Sequence, residues 1–309
     1  MEAAAKPRQE FAGGAAQAGA LGATAHPAAA SSQPVGACPL PTPDAPGTHV
    51  ITVGSAAQRT CRSYWGLCCL VDQAKWQCSA GSNSELVQKL HDSGLVTHTA
   101  VREALLATDR AIYVPELTTR KSKTYSYGPY ADAPQSIGCK ATISAPHIHA
   151  LALEALCDRL CAPACRALDV GCGSGVLVAC MARMGDGTGV VVGVERVPDL
   201  VTMSVENLRR DGMEPNAVAS GVVVVQGDGW RGETAHGPYD AIHVGAAAPE
   251  VPQALIEQLR PGGRIVIPVG GRDQQDFLQI DKASDGGLVQ TLITRTRFVP
   301  LVGTPVSTG

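Results

Sequence analysis

Apolar positions change their period along the chain. Leu86, Val87 and Leu90 recur at helical spacing behind the cap residues Ser82-Asn83-Ser84-Glu85, and Gly94 marks a stop. Val101, Ala104 and Leu105 line one face of a second helix over Thr99–Ala107. A third helix opens at Ser144-Ala145-Pro146 and presents Leu151, Leu153, Leu156 and Leu160. Serine ahead of a proline in the first turn is a physically sensible start. From Arg166 onward, short apolar runs take over: ALDV (167–170), VVVGV (190–194), VVVVQ (222–226), YDAIHV (239–244) and RIVIPV (264–269). Helical stretches near 174–184, 198–211 and 252–260 alternate with them. That alternation predicts an α/β fold, a doubly wound and mostly parallel sheet behind an N-terminal helical cap. Unbroken Val/Ile runs belong to strands buried on both faces. FLQIDK (277–282) and LITRTRFV (292–299) flank Asp285-Gly286-Gly287, which predicts a closing antiparallel hairpin.

The front of the chain has no such period. Residues 1–50 hold 15 Ala, 7 Pro and 6 Gly, with Phe11 as the one aromatic. Such a segment cannot bury enough apolar surface to offset its ordering entropy. Residues 1–78 therefore read as a disordered tail, and 79–309 as one domain, with a helical region over 79–160 and the sheet over 161–309. Thr118–Gly128, TTRKSKTYSYG, reads as a polar inserted loop. Neither a secretory signal nor a run of ~20 apolar residues is evident. Glu2 and Glu10 sit where transit peptides avoid acids. A net charge of −3 supplies no field for phosphate neutralisation, which argues against a nucleic-acid binder.

Eleven cysteines raise the question of metal or disulfides. No CxxC pair occurs, so the usual zinc signal is missing. Cys157, Cys161 and Cys165 recur every fourth residue and read as small apolar residues in a reduced, cytosolic protein. His147 and His149 read as helix-start or core residues rather than a metal pair, and His243 as a hydrogen-bonded core residue. No metal is expected.

In an open parallel sheet, ligands sit outside the carboxyl ends of the strands. Three features collect there. Asp169-Val170-Gly171-Cys172-Gly173-Ser174-Gly175 follows the first strand and precedes a helix. Glu195 ends the next strand, where an acid can accept both hydroxyl hydrogens of a ribose. Asp228 follows the third strand in a GDG triplet, where an acceptor can reach an exocyclic amine. Together they indicate a nucleoside-type cofactor. The spacing is G-x-G-x-G, not the G-x-G-x-x-G of a dinucleotide fold. An acid two residues ahead would repel a pyrophosphate but suits the sulfonium and ammonium of S-adenosylmethionine. The segment resembles the class I, Rossmann-like methyltransferases that bind that cofactor.

A closer resemblance lies upstream. Ala133-Pro134-Gln135-Ser136-Ile137-Gly138 and ATISAPHIHA (141–150) are similar to the signature of the protein-L-isoaspartate (D-aspartate) O-methyltransferases. LDVGCGSG (168–175), VVGVER (191–196), PYDAIHVGAAAP (238–249) and LRPGGRIVIPVG (259–270) match that family in order, from about Ser82 to Leu301. The resemblance implies Ser144 as the active-site serine. It implies that Ala141, Thr142, Ile143 and His149 line the cofactor or substrate. Ser174, Glu195, Arg196, Asp228 and Gly229 match its cofactor contacts, beside Asp169, Gly171, Gly173 and Gly175 in the glycine turn. Three departures stand out: the tail, the long 118–128 link, and Val302 where many relatives carry a cofactor-holding threonine.

The implied reaction is methylation of the free carboxyl of an isoaspartyl residue in damaged proteins, the first step of repair through a succinimide. A carboxylate with a reference pKa near ~4 is ionised at neutral pH and needs no general base. Ser144 would then orient the substrate or gate the site, with capping of the third helix as its plain structural alternative. The implied partners are isoaspartyl proteins and peptides, with no nucleic acid and no membrane, and the implied state is a monomer. Methyl transfer to another acceptor, and a cofactor-binding adaptor without turnover, remain the alternatives.

Overall fold

The computed structural model describes residues 78–116, 128–217 and 220–303. The tail and the 118–128 insert lie outside these residues, apart from Cys78 and Gly128 at their edges. Three helices come first: α1 (Asn83–Asp92), α2 (Thr99–Ala107) and the single turn α3 (Arg110–Tyr113). Ser82 caps α1, its side chain accepting from the Glu85 N–H as the sequence predicts. A small hairpin follows, β1 (Gln135–Gly138) and β2 (Ala141–Ile143), paired antiparallel, and then α4 (Pro146–Leu160).

The remainder winds β3 (Arg166–Val170), α5 (Val176–Met184), β4 (Val190–Glu195), α6 (Pro198–Arg210), β5 (Val222–Gln226), β6 (Tyr239–Val244), α7 (Gln253–Gln258), β7 (Leu259–Gly270), β8 (Gln275–Lys282) and β9 (Leu288–Thr296). These strands form one seven-stranded sheet in the order β5-β4-β3-β6-β7-β8-β9. The pairs from β5 to β7 are parallel; β7–β8 and β8–β9 are antiparallel.

Alternate strand residues serve opposite faces. Ala167, Val191, Val222, Val224 and Ala241 belong to the core packed with α1, α2, α4, α5 and α6. Leu168, Val170, Val192, Val194, Ile242 and Val244 belong to a second core with Trp230, Tyr239 and Leu255 of α7. Burial on both faces is why these strands are rich in Val, Ile, Leu and Ala, a fully buried Val, Ile or Leu being worth roughly 1.5–3 kcal/mol.

The structure shifts several predicted boundaries for local reasons. α5 begins at Val176, not 174, because Gly175 takes φ +89° and ends the turn before the helix. α7 stops at Gln258 instead of 260. Residue Arg260 precedes Pro261, which disfavours helical backbone there, and Leu259 already pairs with Tyr239. β9 starts at Leu288, opposite Lys282, and releases 297–299 from the ladder. No helix among the described residues is long and apolar enough to cross a membrane.

Candidate active site

The ends of β3, β4 and β5 stand side by side, and the glycine turn leaves the first of them. Gly171 and Cys172 donate their N–H groups to the Val194 carbonyl, and Gly175 N–H to the Cys172 carbonyl. Gly171, Gly173 and Gly175 all have positive φ, +75°, +54° and +89°, which any other residue would adopt only with strain. Asn207 of α6 donates from Nδ2 to the Ser174 carbonyl at 3.1 Å and clamps the far side of the turn.

Glu195 is 7% exposed, and its carboxylate accepts three backbone N–H groups, from Gly173 (3.1 Å), Arg196 (2.7 Å) and Val197 (3.0 Å). The acid at the end of β4 is thus fastened to the glycine turn at the end of β3. Arg196 beside it is exposed. Asp228 accepts from the Trp230 N–H at 3.1 Å. A side chain on Gly229 would strike Val170 and Leu301, so only glycine lets those segments approach. Leu301 is tied to Ala247 by its N–H and to Trp230 Nε1 by its carbonyl, and Gly303 lies against Asp228. Val302 between them is 61% exposed.

Asp169 is placed differently from the other acids. It is 2% exposed, and its Oδ1 lies 2.7 Å from His243 Nδ1 on the neighbouring strand, where the two residues are in register. The pair braces the strand that feeds the glycine turn, and it makes His243 the hydrogen-bonded core residue expected of it.

The Ala141-Thr142-Ile143-Ser144 segment reaches this turn through the β1–β2 hairpin. Ile137 of β1 packs on Gly173: a Cβ there would lie 3.1 Å from Ile137 Cδ1. Ala141, Thr142 and Ile143 pair with Gly138, Ser136 and Gln135 across the hairpin, and Ile143 is buried. The tight turn puts Cys139 and Lys140 at φ +50° and +62°.

Ser144 follows, half-buried. It does not cap α4: Ala145 occupies the cap position, without a side-chain cap. Instead its carbonyl accepts from Arg110 Nη2 at 2.8 Å. Arg110 is 4% exposed and also donates from Nε to the Pro129 carbonyl at 2.9 Å, with Nη1 3.4 Å from His149 Nδ1. Burial lowers the Arg110 pKa to about 10, with the charge of Asp132 opposing, so the cation persists at neutral pH. Burial, then the Arg110 charge, holds His149 well below the usual histidine range and neutral. Asp132, 2% exposed, accepts from His147 through both N–H and Nδ1, at 3.1 and 2.7 Å. Sequence reasoning missed Arg110, Asp132 and the hairpin itself.

The site has the composition that a sulfonium nucleoside requires. Two acids stand at adjacent strand ends, and three glycines expose backbone between them. The Ser174 hydroxyl is buried with no hydrogen-bond partner among the described residues, a donor that a ligand in the turn would satisfy. Fold and site together define a Rossmann-like methyltransferase dependent on S-adenosylmethionine. Comparison with known proteins takes the assignment further. The chain belongs to the protein-L-isoaspartate(D-aspartate) O-methyltransferase family, whose model matches residues 81–305. It is 45% identical over 223 residues to protein-L-isoaspartate O-methyltransferase 1 of Arabidopsis thaliana, covering 72% of this chain and 92% of the relative. The Caenorhabditis elegans enzyme is 42% identical over 227 residues, covering 73% and 95%. Among solved structures, the Plasmodium falciparum family member in complex with S-adenosyl-L-homocysteine superposes with TM-score 0.62 at 31% identity, covering 73% of this chain and all of that one.

Proposed function

We propose that the chain methylates the free carboxyl of L-isoaspartyl and D-aspartyl residues in damaged proteins, the α-carboxyl in the isoaspartyl case, and so starts their repair through a succinimide. The observation that carries this reading is the Ala141–Ser144 segment, brought to the glycine turn by Ile137 and fixed from beneath by buried Arg110.

S-adenosylmethionine supplies an electrophilic methyl group on a sulfonium. Every other requirement falls on the chain. Glu195 holds the ribose hydroxyls, with Arg196 at its side. Asp228 and Gly229 hold the base. Asp169, Gly171, Gly173, Ser174 and Gly175 form and support the turn that receives the amino-acid end. Ala141, Thr142, Ile143 and His149 complete the wall shared with the substrate. Ser144, whose hydroxyl has no partner among the described residues, orients the substrate carboxylate by donating a hydrogen bond. It is not a nucleophile, because the carboxylate arrives ionised. Alignment of attacking oxygen and methyl carbon is the main contribution, and positioning of this kind is worth several kcal/mol, ~7–11 at the upper limit.

In this reading residues 79–309 form the catalytic domain, 1–78 a tail, and 118–128 an insert on the substrate side that modulates peptide access. The enzyme acts as a monomer in the cytosol on proteins of any charge, without nucleic acid or membrane partners. Mass spectrometry of an isoaspartyl peptide after incubation with cofactor tests the reading. The expected product is a base-labile methyl ester at the isoaspartyl α-carboxyl, followed by partial conversion to aspartate. A methyl group on nitrogen, or on a side-chain carboxyl, refutes it.

A further inference from the structure

Helix α4 carries the Ser144 segment at one end and, at the other, two thiols that methyl transfer does not use. Cys157 and Cys161 bring their sulfurs to 3.8 Å. Cys157 is 5% exposed, whereas Cys161 is exposed and occupies the C-cap, where the chain leaves the helix. Pro163 and then Ala164, at φ +51°, prevent any continuation.

We propose that Cys161 is a peroxide-reactive thiol and that Cys157 resolves it, closing a reversible disulfide across the last turn of α4. Three observations support the pair. The sulfurs are in contact distance, so the second thiol need not be recruited. Cys161 is an exposed residue and Cys157 a buried one, which assigns the roles of attacking and resolving thiol. The sulfurs lie within hydrogen-bond reach, and the interaction holds Cys161 below the ordinary thiol range and Cys157 above it. The charge of His98 lowers Cys161 further, against partial burial and the nearby Asp158. Cys165, the third thiol of the series, is 6% exposed and pushed up to about 12 by burial, so it stays protonated and slow.

The chemistry balances with hydrogen peroxide as oxidant. The Cys161 thiolate attacks one peroxide oxygen; the S–O bond forms, the O–O bond breaks, and hydroxide leaves to become water. The Cys157 sulfur then attacks Cys161; the S–S bond forms, the S–O bond breaks, and the Cys157 proton departs with the hydroxide as a second water. Two thiols lose two electrons, and the peroxide gains them.

Geometry limits the consequence. Cβ atoms four residues apart on a helix lie ~5–6 Å from each other. A disulfide requires ~3.5–4.5 Å. Closure therefore breaks the terminal bond from Cys161 N–H to the Cys157 carbonyl. The turn before it is anchored independently. Arg264 Nη1 donates to the Ala155 carbonyl at 2.6 Å and to Asp158 at 2.8 Å, and Glu154 accepts from the N–H groups of Thr97 and His98. The rearrangement stops there, so the Ser144 end is unaffected.

Treatment of the full, reduced chain with a small excess of hydrogen peroxide, then alkylation and tryptic digestion, tests the proposal. Cleavage after Lys140, Arg159 and Arg166 separates the two thiols into peptides 141–159 and 160–166. The expected result is a dithiothreitol-sensitive species joining these peptides, two hydrogens lighter than their sum, with fragment sequencing placing the bond at Cys161. C161S should abolish it, melt like the parent and retain methyl transfer. Recovery of both thiols alkylated, an internal Cys161–Cys165 loop, or linkage through Cys165 overturns the proposal, whatever the substrate of the enzyme.

Discussion

Arg110 donates a 2.8 Å hydrogen bond to the carbonyl of Ser144, across 34 residues of sequence. Through this bond the helical cap fixes where the Ser144 segment stands, because the same guanidinium also holds Pro129. The relationship is between a buried charge and backbone acceptors; its loss takes this donor from the Ser144 carbonyl, whereas the Pro129 carbonyl keeps a 3.3 Å bond from Gln135 Nε2.

Arg110→Met should therefore lower stability by about 3 kcal/mol, as expected for a broken buried charged network. Urea titration measures it. Arg110→Lys keeps the charge but not the fork, and should raise the KM for peptide more than it lowers kcat. Equal effects on both constants would show that Arg110 does not position the Ser144 segment.

Ser174→Ala separates stability from binding. Its hydroxyl is buried without a partner among the described residues, so removal should leave the ligand-free melting temperature unchanged or raise it by the equivalent of ~1 kcal/mol. Affinity for S-adenosylhomocysteine, measured by calorimetry, should fall about 5–30-fold, as for a lost hydrogen bond of ~1–2 kcal/mol. Unchanged affinity would remove Ser174 from the cofactor site.

Gly173→Ala should weaken cofactor binding and stability together. The backbone there has φ +54°, and the added Cβ meets Ile137 at 3.1 Å. A left-handed residue other than glycine costs about 1–2 kcal/mol, read as a drop in urea midpoint. Displacement of the β1–β2 hairpin should lower kcat/KM further than affinity alone accounts for.

Glu154 gives a pH signature. Burial raises its pKa, but hydrogen bonds from Thr97 and His98 outweigh it, and the net shift is downward. A carboxylate depressed in the folded state contributes stability that is fully present above the unfolded value, about 4.3, and is lost as pH falls through the folded value. Melting temperature should therefore drop below about pH 4.3 in the parent, and the slope should be shallower in Glu154→Gln. Parallel pH profiles would contradict the assignment.

Much of this architecture was legible because burial on both faces leaves an unbroken trace. The runs at 190–194, 222–226 and 239–244 fall in strands, and the glycine turn lies at the sheet end where the pattern put it. The β1–β2 hairpin was hidden because Cys139 and Lys140 occupy a turn whose usual signal is Asn or Gly. Arg110 was hidden because its partners, the carbonyls of Pro129 and Ser144, are remote and leave no mark on its own neighbours. The Ser-Ala-Pro start misassigned the cap by one residue, since Pro146 at the first turn suffices without a serine oxygen. Asp169 carried the expected acid, but its bond to His243 depends on strand register, which only the assembled sheet supplies.

The most direct measurement compares initial rates of methyl transfer from labelled S-adenosylmethionine to two peptides of identical composition, one isoaspartyl and one aspartyl at the same position. The account predicts transfer to the isoaspartyl peptide, loss of most of that rate in Ser144→Ala, and a negligible rate on the aspartyl twin. Equal rates on both peptides, or none on either with the cofactor bound, would contradict it.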